Sequence, residues 1–319
     1  MVMALLIREE EVRELVSMAE ATDVVEEAFR QLGQGRAFNN PRSRIKLGGE
    51  ILHVLPAALP EMDALGLKSY TAFRGGIRFL VLLYSAKTGE LKALIQAQRL
   101  GELRTAGIAS VAIKQMARTE STEGAVFGAG KIGRAMLEGM MIARDFRRIK
   151  VLNTRQDRLP AYCAEMSERL NTAIIPAADA ADAVADADVI VTSTTAKDPV
   201  FDGKQLRDGT TVVASGSNLL QKREIDSTVI RRATRIVVET VEQAQLEAGD
   251  LFLPIDSGHL HWNQVYELSD VLLGRVPGRE SAAEINVFKS VGLGLQDIAL
   301  AAAVYEAAVR NGAGTEISI

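Results

Sequence analysis

The run Gly128-Ala129-Gly130-Lys131-Ile132-Gly133 has the spacing Gly-x-Gly-x-x-Gly. It is entered from apolar Gly124 to Phe127 and left through a helix-forming stretch with Met136, Met140 and Met141. In that setting Gly128 makes a tight turn, Gly130 lets a pyrophosphate approach the backbone, and Gly133 packs helix on strand. The first helical N–H groups then face the phosphates of a dinucleotide. The spacing alone also fits a glycine-rich turn without a ligand. The strand before it, the helix after it and five further strand-helix alternations decide for the dinucleotide.

One strand later comes Val151-Leu152-Asn153-Thr154-Arg155, at the place where an acidic residue usually meets the adenosine ribose and selects NAD. Asn153 bonds a ribose hydroxyl without repelling a phosphate, and Thr154 and Arg155 suit a 2′-phosphate. These residues taken alone admit NADP as readily as NAD, and Arg155 reads equally well as a solvated helix-start residue. The single thiol, Cys163, falls in a helix-like segment far from any histidine and is expected to be structural. His259 and His261 flank Leu260 without carboxylate or thiol partners at ligand spacing, so they too are read as structural and no metal is expected.

The elements that position these residues are legible in the apolar periodicity. Glu9 to Leu32 has helical spacing, and strand-like runs follow at Ile45 to Leu47, Ile51 to Leu55, Leu65 to Ala72, Phe79 to Tyr84 and Leu91 to Ala97. The last two join through Ser85 to Gly89 as a hairpin, which predicts an antiparallel α+β unit. From Gly124 short apolar strands alternate with helices: Gly124 to Phe127, Ile149 to Leu152, Ala173 to Ile175, Val189 to Ser193, Thr210 to Ala214 and Ile236 to Val238. That alternation predicts a doubly wound parallel sheet of the Rossmann type, with Ala177 to Ala187 as a crossover helix. Ser290 to Val309 is helical again and returns to the first domain. The expected division is 1–114 with 290–319 against 115–289.

Composition narrows the partners. With 319 residues the chain suits two domains, and 47% hydrophobic against 24% charged residues is ordinary globular usage. Net charge is 37 − 41 = −4 with no run of like charges, which gives no footprint for nucleic acid. No apolar stretch reaches the roughly 18 residues of a membrane span. Met1 to Ile7 lacks a basic region and reads as mature protein, so a cytoplasmic chain acting on a small molecule is expected.

Two further runs, Gln98-Arg99-Leu100-Gly101-Glu102-Leu103-Arg104-Thr105-Ala106-Gly107-Ile108-Ala109-Ser110 and Phe288-Lys289-Ser290-Val291-Gly292, are more specific than the glycines. With the glycine motif they resemble the ornithine cyclodeaminase and mu-crystallin family, over nearly the whole chain from Arg44 to Asp297. The resemblance implies an NAD(P)-dependent enzyme of amino and imino acids, a homodimer whose N-terminal domain supplies the substrate site and the subunit interface. It implies that Arg44, Lys68 and Arg104 hold the substrate carboxylate, a task that suits guanidinium and ammonium chemistry, and that Val291 touches substrate. Thr105, Lys131, Ile132, Asn153, Ser193, Lys222 and Ser290 are implied as cofactor contacts. The expected cofactor set is completed by Gly128, Gly130, Gly133, Thr154, Arg155, Thr194, Gly216, Ser217, Asn218 and Arg104.

Two departures bear on the chemistry. The cyclodeaminases of the family have a proton-moving aspartate where this chain has Asn218, and an amide has no acid-base chemistry near neutral pH. Ring closure loses its base and imine reduction does not. Where those enzymes hold an amine, this chain has Leu52-His53-Val54-Leu55, and His53 can donate a hydrogen bond or carry positive charge, which suits a second carboxylate better. A strand histidine bonded to backbone is the plain alternative, and Arg74 and Arg78 are further cations that could equally be exposed. The expectation is therefore reduction of a small 2-imino acid, with Lys68 as catalytic residue and iminosuccinate, giving L-aspartate with NAD as cofactor, ahead of 1-pyrroline-2-carboxylate or an alanine dehydrogenase activity. The rival from another class is a mu-crystallin-like dinucleotide-dependent binding protein.

Overall fold

The computed structural model describes residues 3–318. In chain order the first stretch forms β1 (Met3–Ile7), α1 (Glu9–Leu15), α2 (Met18–Gly33), β2 (Phe38–Asn39), β3 (Ser43–Leu47), β4 (Glu50–Leu59), β5 (Ala64–Phe73), β6 (Gly76–Tyr84), β7 (Leu91–Gln96) and α3 (Gln98–Met116). The middle forms β8 (Glu123–Phe127), α4 (Lys131–Ala143), β9 (Arg148–Leu152), α5 (Leu159–Leu170), β10 (Ala173–Pro176), α6 (Ala180–Ala185), β11 (Val189–Thr192), β12 (Thr211–Ala214) and α7 (Ser227–Arg232). Then come β13 (Arg235–Val238), α8 (Val241–Glu247), α9 (Gly249–Asp256), β14 (Val265–Glu267), α10 (Leu268–Leu272), β15 (Asn286–Lys289), α11 (Gly294–Asn311) and β16 (Thr315–Ser318). Two compact units result, Met1–Gly107 with Leu293–Ile319, and Ile108–Gly292.

The first unit is one sheet in the order β16-β1-β7-β6-β5-β4-β2, with β3 also on β4. The strands expected between Ile45 and Ala97 pair antiparallel, and the unforeseen β1 adds one parallel ladder, on β7. Short β1 and β16 carry too little alternation to announce themselves. The single helix expected over Glu9 to Leu32 is two, because Ser17 starts α2 with a capping box: its hydroxyl accepts from the Glu20 N–H while Glu20 accepts from the Ser17 N–H. Helix α11 packs on β4, β5 and β6, and its face joins Leu55, Leu83 and Ile95 in the core. On the opposite face of the sheet, Ile45, Leu47, Leu65, Phe73 and Leu80 remain exposed.

The second unit is an all-parallel sheet in the order β10-β9-β8-β11-β12-β15-β13-β14. Six of its strands are those expected; β14 and β15 are additional, and β15 inserts between β12 and β13. At three and four residues these two are too short to show a period. The alanine-rich crossover condenses to α6, started by Asp179, whose side chain accepts from the Asp182 N–H. The order reverses at β8 and β11, and in such sheets ligands bind at the carboxyl ends of the strands around that point. Among the described residues no helix is long and apolar enough to cross a membrane.

Candidate active site

The glycine motif closes β8 onto α4 as the spacing requires. Gly128 has φ of 108°, in the region that favours glycine, and a Cβ on Gly133 would stand 2.0 Å from the Gly128 carbonyl oxygen. Gly130 differs: a Cβ there meets nothing within 4 Å, and as N-cap of α4 it leaves the first helical N–H groups without a side-chain cap. That is room and polarity for a pyrophosphate. A cavity of about 660 Å³ opens there, lined by Gly128, Ala129, Gly130, Leu152, Asn153, Thr154, Ser193 and Thr194. Beside it a recess of about 730 Å³ is lined by Asn153, Thr154, Arg155, Arg158 and Arg134. The second unit therefore fits a dinucleotide, with Asn153 and Thr154 shared by both hollows.

A buried carboxylate that sequence reading missed shapes the far wall. Glu224 accepts from the Thr192 and Thr194 hydroxyls and from the Thr194 and Gly216 N–H groups, tying the ends of β11 and β12 together. A second, Glu239, accepts from the Ser290 hydroxyl and from the Val291 and Gly292 N–H groups. Ser290, read as a cofactor contact, thus donates to Glu239, and Val291, read as a substrate contact, is packed in the unit's core. Lys289 is buried, pairs with Asp250 at 2.8 Å and donates to the Ser217 carbonyl at 2.7 Å. Lys131 and Gly216 are exposed, and Ile132, Lys222 and Asn218 half-buried. Cys163 is buried in α5, and burial pushes its thiol up to about 11, out of the reactive range. The exposed His259 ring lies 2.8 Å from the Ser257 hydroxyl.

In the first unit, register gathers the other candidates. Across β3, β4, β5 and β6 one row reads Arg44, His53, Tyr70, Phe79. Lys68 is two residues before Tyr70, so alternation puts it on the same face one row on. His53 stacks on Tyr70 with ring centroids 4.1 Å apart and 8° between planes, and Phe79 tilts against Tyr70 at 5.2 Å. Lys68 Nζ lies 5.2 Å from the Phe79 ring. Arg74 and Arg78 fall outside this arrangement: both are exposed, and Arg78 pairs with Thr71 on the other face.

Lys68 is fully buried and donates to Asp297 Oδ1 at 2.9 Å. Arg104 Nε approaches the same oxygen at 3.2 Å, a charge contact without hydrogen-bond alignment, while its Nη1 donates to Gln296 at 3.0 Å. Burial lowers the Lys68 ammonium to about 8; Asp297 opposes that fall and Arg104 adds to it. Burial, with Arg42 and Arg44 beside it, lowers His53 to about 4, and its Nδ1 has no hydrogen-bond partner. That favours a neutral imidazole near pH 7, one of the two states the sequence left open. Thr105, read as a cofactor contact, turns its hydroxyl back to the Gly101 carbonyl at 2.6 Å.

Sequence reading missed Asp297, Gln296, Arg42 and Tyr70. An aspartate in the first turn of a helix looks like a dipole complement, so Asp297 carried no signal. Tyr70 could have been found by stepping two residues from Lys68 along a strand.

The chain matches the ornithine cyclodeaminase/mu-crystallin family over residues 2–312. It belongs to that family. It is 32% identical to a Delta(1)-pyrroline-2-carboxylate reductase of Bacillus cereus, over 98% of this chain and 99% of the relative. Among solved structures, the Delta(1)-pyrroline-2-carboxylate reductase of Thermococcus litoralis, in complex with NADH and L-proline, is similar at a TM-score of 0.94 and 29% identity, covering 98% of this chain and 100% of that one. The iminosuccinate reductase of Paracoccus denitrificans with NAD+ is similar at 0.93 and 27% identity, covering 99% of each.

Proposed function

We propose that this member of the family is an NADH-dependent reductase of small 2-imino acids, and that a cyclic imino acid of the 1-pyrroline-2-carboxylate type suits the site best. The observation that carries the reading is a buried ammonium, Lys68, beside a guanidinium, Arg104, at the foot of a neutral aromatic surface made by His53, Tyr70 and Phe79. Gly128, Gly130 and Gly133 would hold the pyrophosphate of NADH, which when bound would supply the hydride. The chain's own residues do the rest.

Arg104 turns Nε toward Asp297 and donates from Nη1 to Gln296, and a guanidinium carries five N–H groups, so donors remain for the substrate carboxylate. Lys68 supplies a proton to the imine nitrogen as the carbon is reduced, and at about 8 its acidity is matched to near-neutral pH. The ring stacks and packs on the aromatic row. A passive dinucleotide-binding protein has no use for such a proton donor, and Asn218 removes the base that ring closure would need.

A second reading, iminosuccinate, is supported by Arg42 and Arg44, whose charges act on His53 and could meet a second carboxylate. The neutral imidazole and the outward Arg74 and Arg78 weigh against it. NADH consumption measured with 1-pyrroline-2-carboxylate, with oxaloacetate plus ammonia and with pyruvate plus ammonia separates these readings. A homodimer formed through the exposed apolar face of Ile45, Leu47, Leu65, Phe73 and Leu80 completes the proposal.

A further inference from the structure

Lys68 is 2% exposed and Asp297 not at all. A lysine so placed loses its proton unless something opposes burial. The groups facing it can be named element by element. From β4 comes His53, neutral; from its own strand and from β6 come the Tyr70 and Phe79 rings, 5.8 and 5.2 Å from Nζ. From α3 comes Arg104, whose charge disfavours the ammonium, as does that of Arg42, while Glu102 is engaged with Gln98 and Arg99. From α11 comes Asp297. Among these groups it alone brings a negative charge into contact with the ammonium, and it does so with the oxygen that Arg104 also approaches.

We infer that Asp297 is a positioning residue for the reduction proposed above: its buried carboxylate keeps Lys68 charged as the proton donor and sets Arg104 beside it. The arrangement also balances charge. Lys68 and Arg104 share this one carboxylate, so the pair keeps a net positive charge toward the carboxylate of an imino acid. Neither oxygen of Asp297 touches substrate in this role. It acts through Lys68 and Arg104.

The inference rests on the proposed function, and the experiment keeps the two apart. Lys68 is titrated through its Nζ signal in protein labelled on lysine nitrogens, without cofactor, and assigned with Lys68→Met; the pH profile of kcat is recorded in parallel. Asp297→Asn is expected to move both the Nζ titration and the alkaline limb of kcat down by about one to three pH units, because a lysine of lower pKa gives up its proton earlier as pH rises. Asp297→Glu, which keeps the charge, is expected to hold both near wild type. Should Asp297→Asn not fold, Asp297→Ser replaces it; should neither fold, Asp297→Glu carries the test alone. An unmoved Nζ titration in a neutral variant overturns the inference, and so does a titration that falls in Asp297→Glu. A wild-type enzyme that reduces no imino acid defeats the proposed function and leaves the Nζ titration to judge the ion pair.

Discussion

Lys68 and Asp297 stand 229 positions apart in sequence and 2.9 Å apart in the fold. The lysine comes from the middle of β5, and the aspartate from the first turn of α11, which the chain reaches only after the second unit is complete. The proposed proton donor is therefore paired with a residue from late in the sequence. In the role inferred above, its protonation depends on a helix that sequence reading treated only as a return to the first domain.

Replacing the donor tests its role. Lys68→Met keeps the length and loses the proton, so kcat for imine reduction is expected to fall by about 10²- to 10⁴-fold. NADH binding, followed by nucleotide fluorescence, is expected to be unchanged. The variant is also expected to melt earlier, since removing one partner of a buried pair costs about 3–5 kcal/mol. Unchanged turnover would remove Lys68 from the chemistry.

The pH dependence has a defined sign. Activity that needs protonated Lys68 is lost as pH rises through about 8. Because burial holds His53 near 4 against 6.5 when unfolded, the unfolded chain binds the extra proton between those values, and stability falls as pH drops from about 6.5 to 4. His53→Phe, which keeps a ring against Tyr70, is expected to flatten that acid slope in thermal melts taken across the range.

Two glycines of one motif should behave differently. Gly133→Ala puts a methyl group 2.0 Å from a backbone oxygen and is expected to destabilise the fold by about 1–3 kcal/mol as well as weaken NADH binding. Gly130→Ala meets open space and is expected to leave the melting temperature unchanged while weakening NADH roughly tenfold, or about 1.4 kcal/mol. Equal effects on melting would show that the open space at Gly130 is not the phosphate seat.

The exposed sheet face predicts an oligomer. Ile45→Lys combined with Leu80→Lys is expected to convert a dimer to a monomer in sedimentation velocity, because both positions lie on the apolar outer face. A monomeric wild type, or a double variant that stays dimeric, would remove that face from the interface.

What the sequence disclosed and what it hid follow from the range of the signals. Period-two and helical spacing are local, so six strands of the parallel sheet and β3 to β7 of the first unit were legible, and the glycine spacing located the cradle. Contacts between distant residues leave no local trace. That is why Asp297 under Lys68, Glu239 under Ser290 and Glu224 beneath Thr194 were not foreseen. The charge of His53 stayed open in the sequence because burial and two neighbouring arginines, which composition does not show, bear on it. Arg74 and Arg78 read equally well as site cations or as exposed residues, and both are exposed.

The most direct test of the account is a competition. With limiting NADH, equal concentrations of 1-pyrroline-2-carboxylate and iminosuccinate are offered together, and L-proline and L-aspartate are quantified, their ratio reporting the ratio of kcat/KM. The neutral aromatic surface beside Lys68 and Arg104 requires L-proline in excess by about tenfold or more. A predominance of L-aspartate would contradict the choice of substrate, and the absence of both products would contradict imine reduction itself.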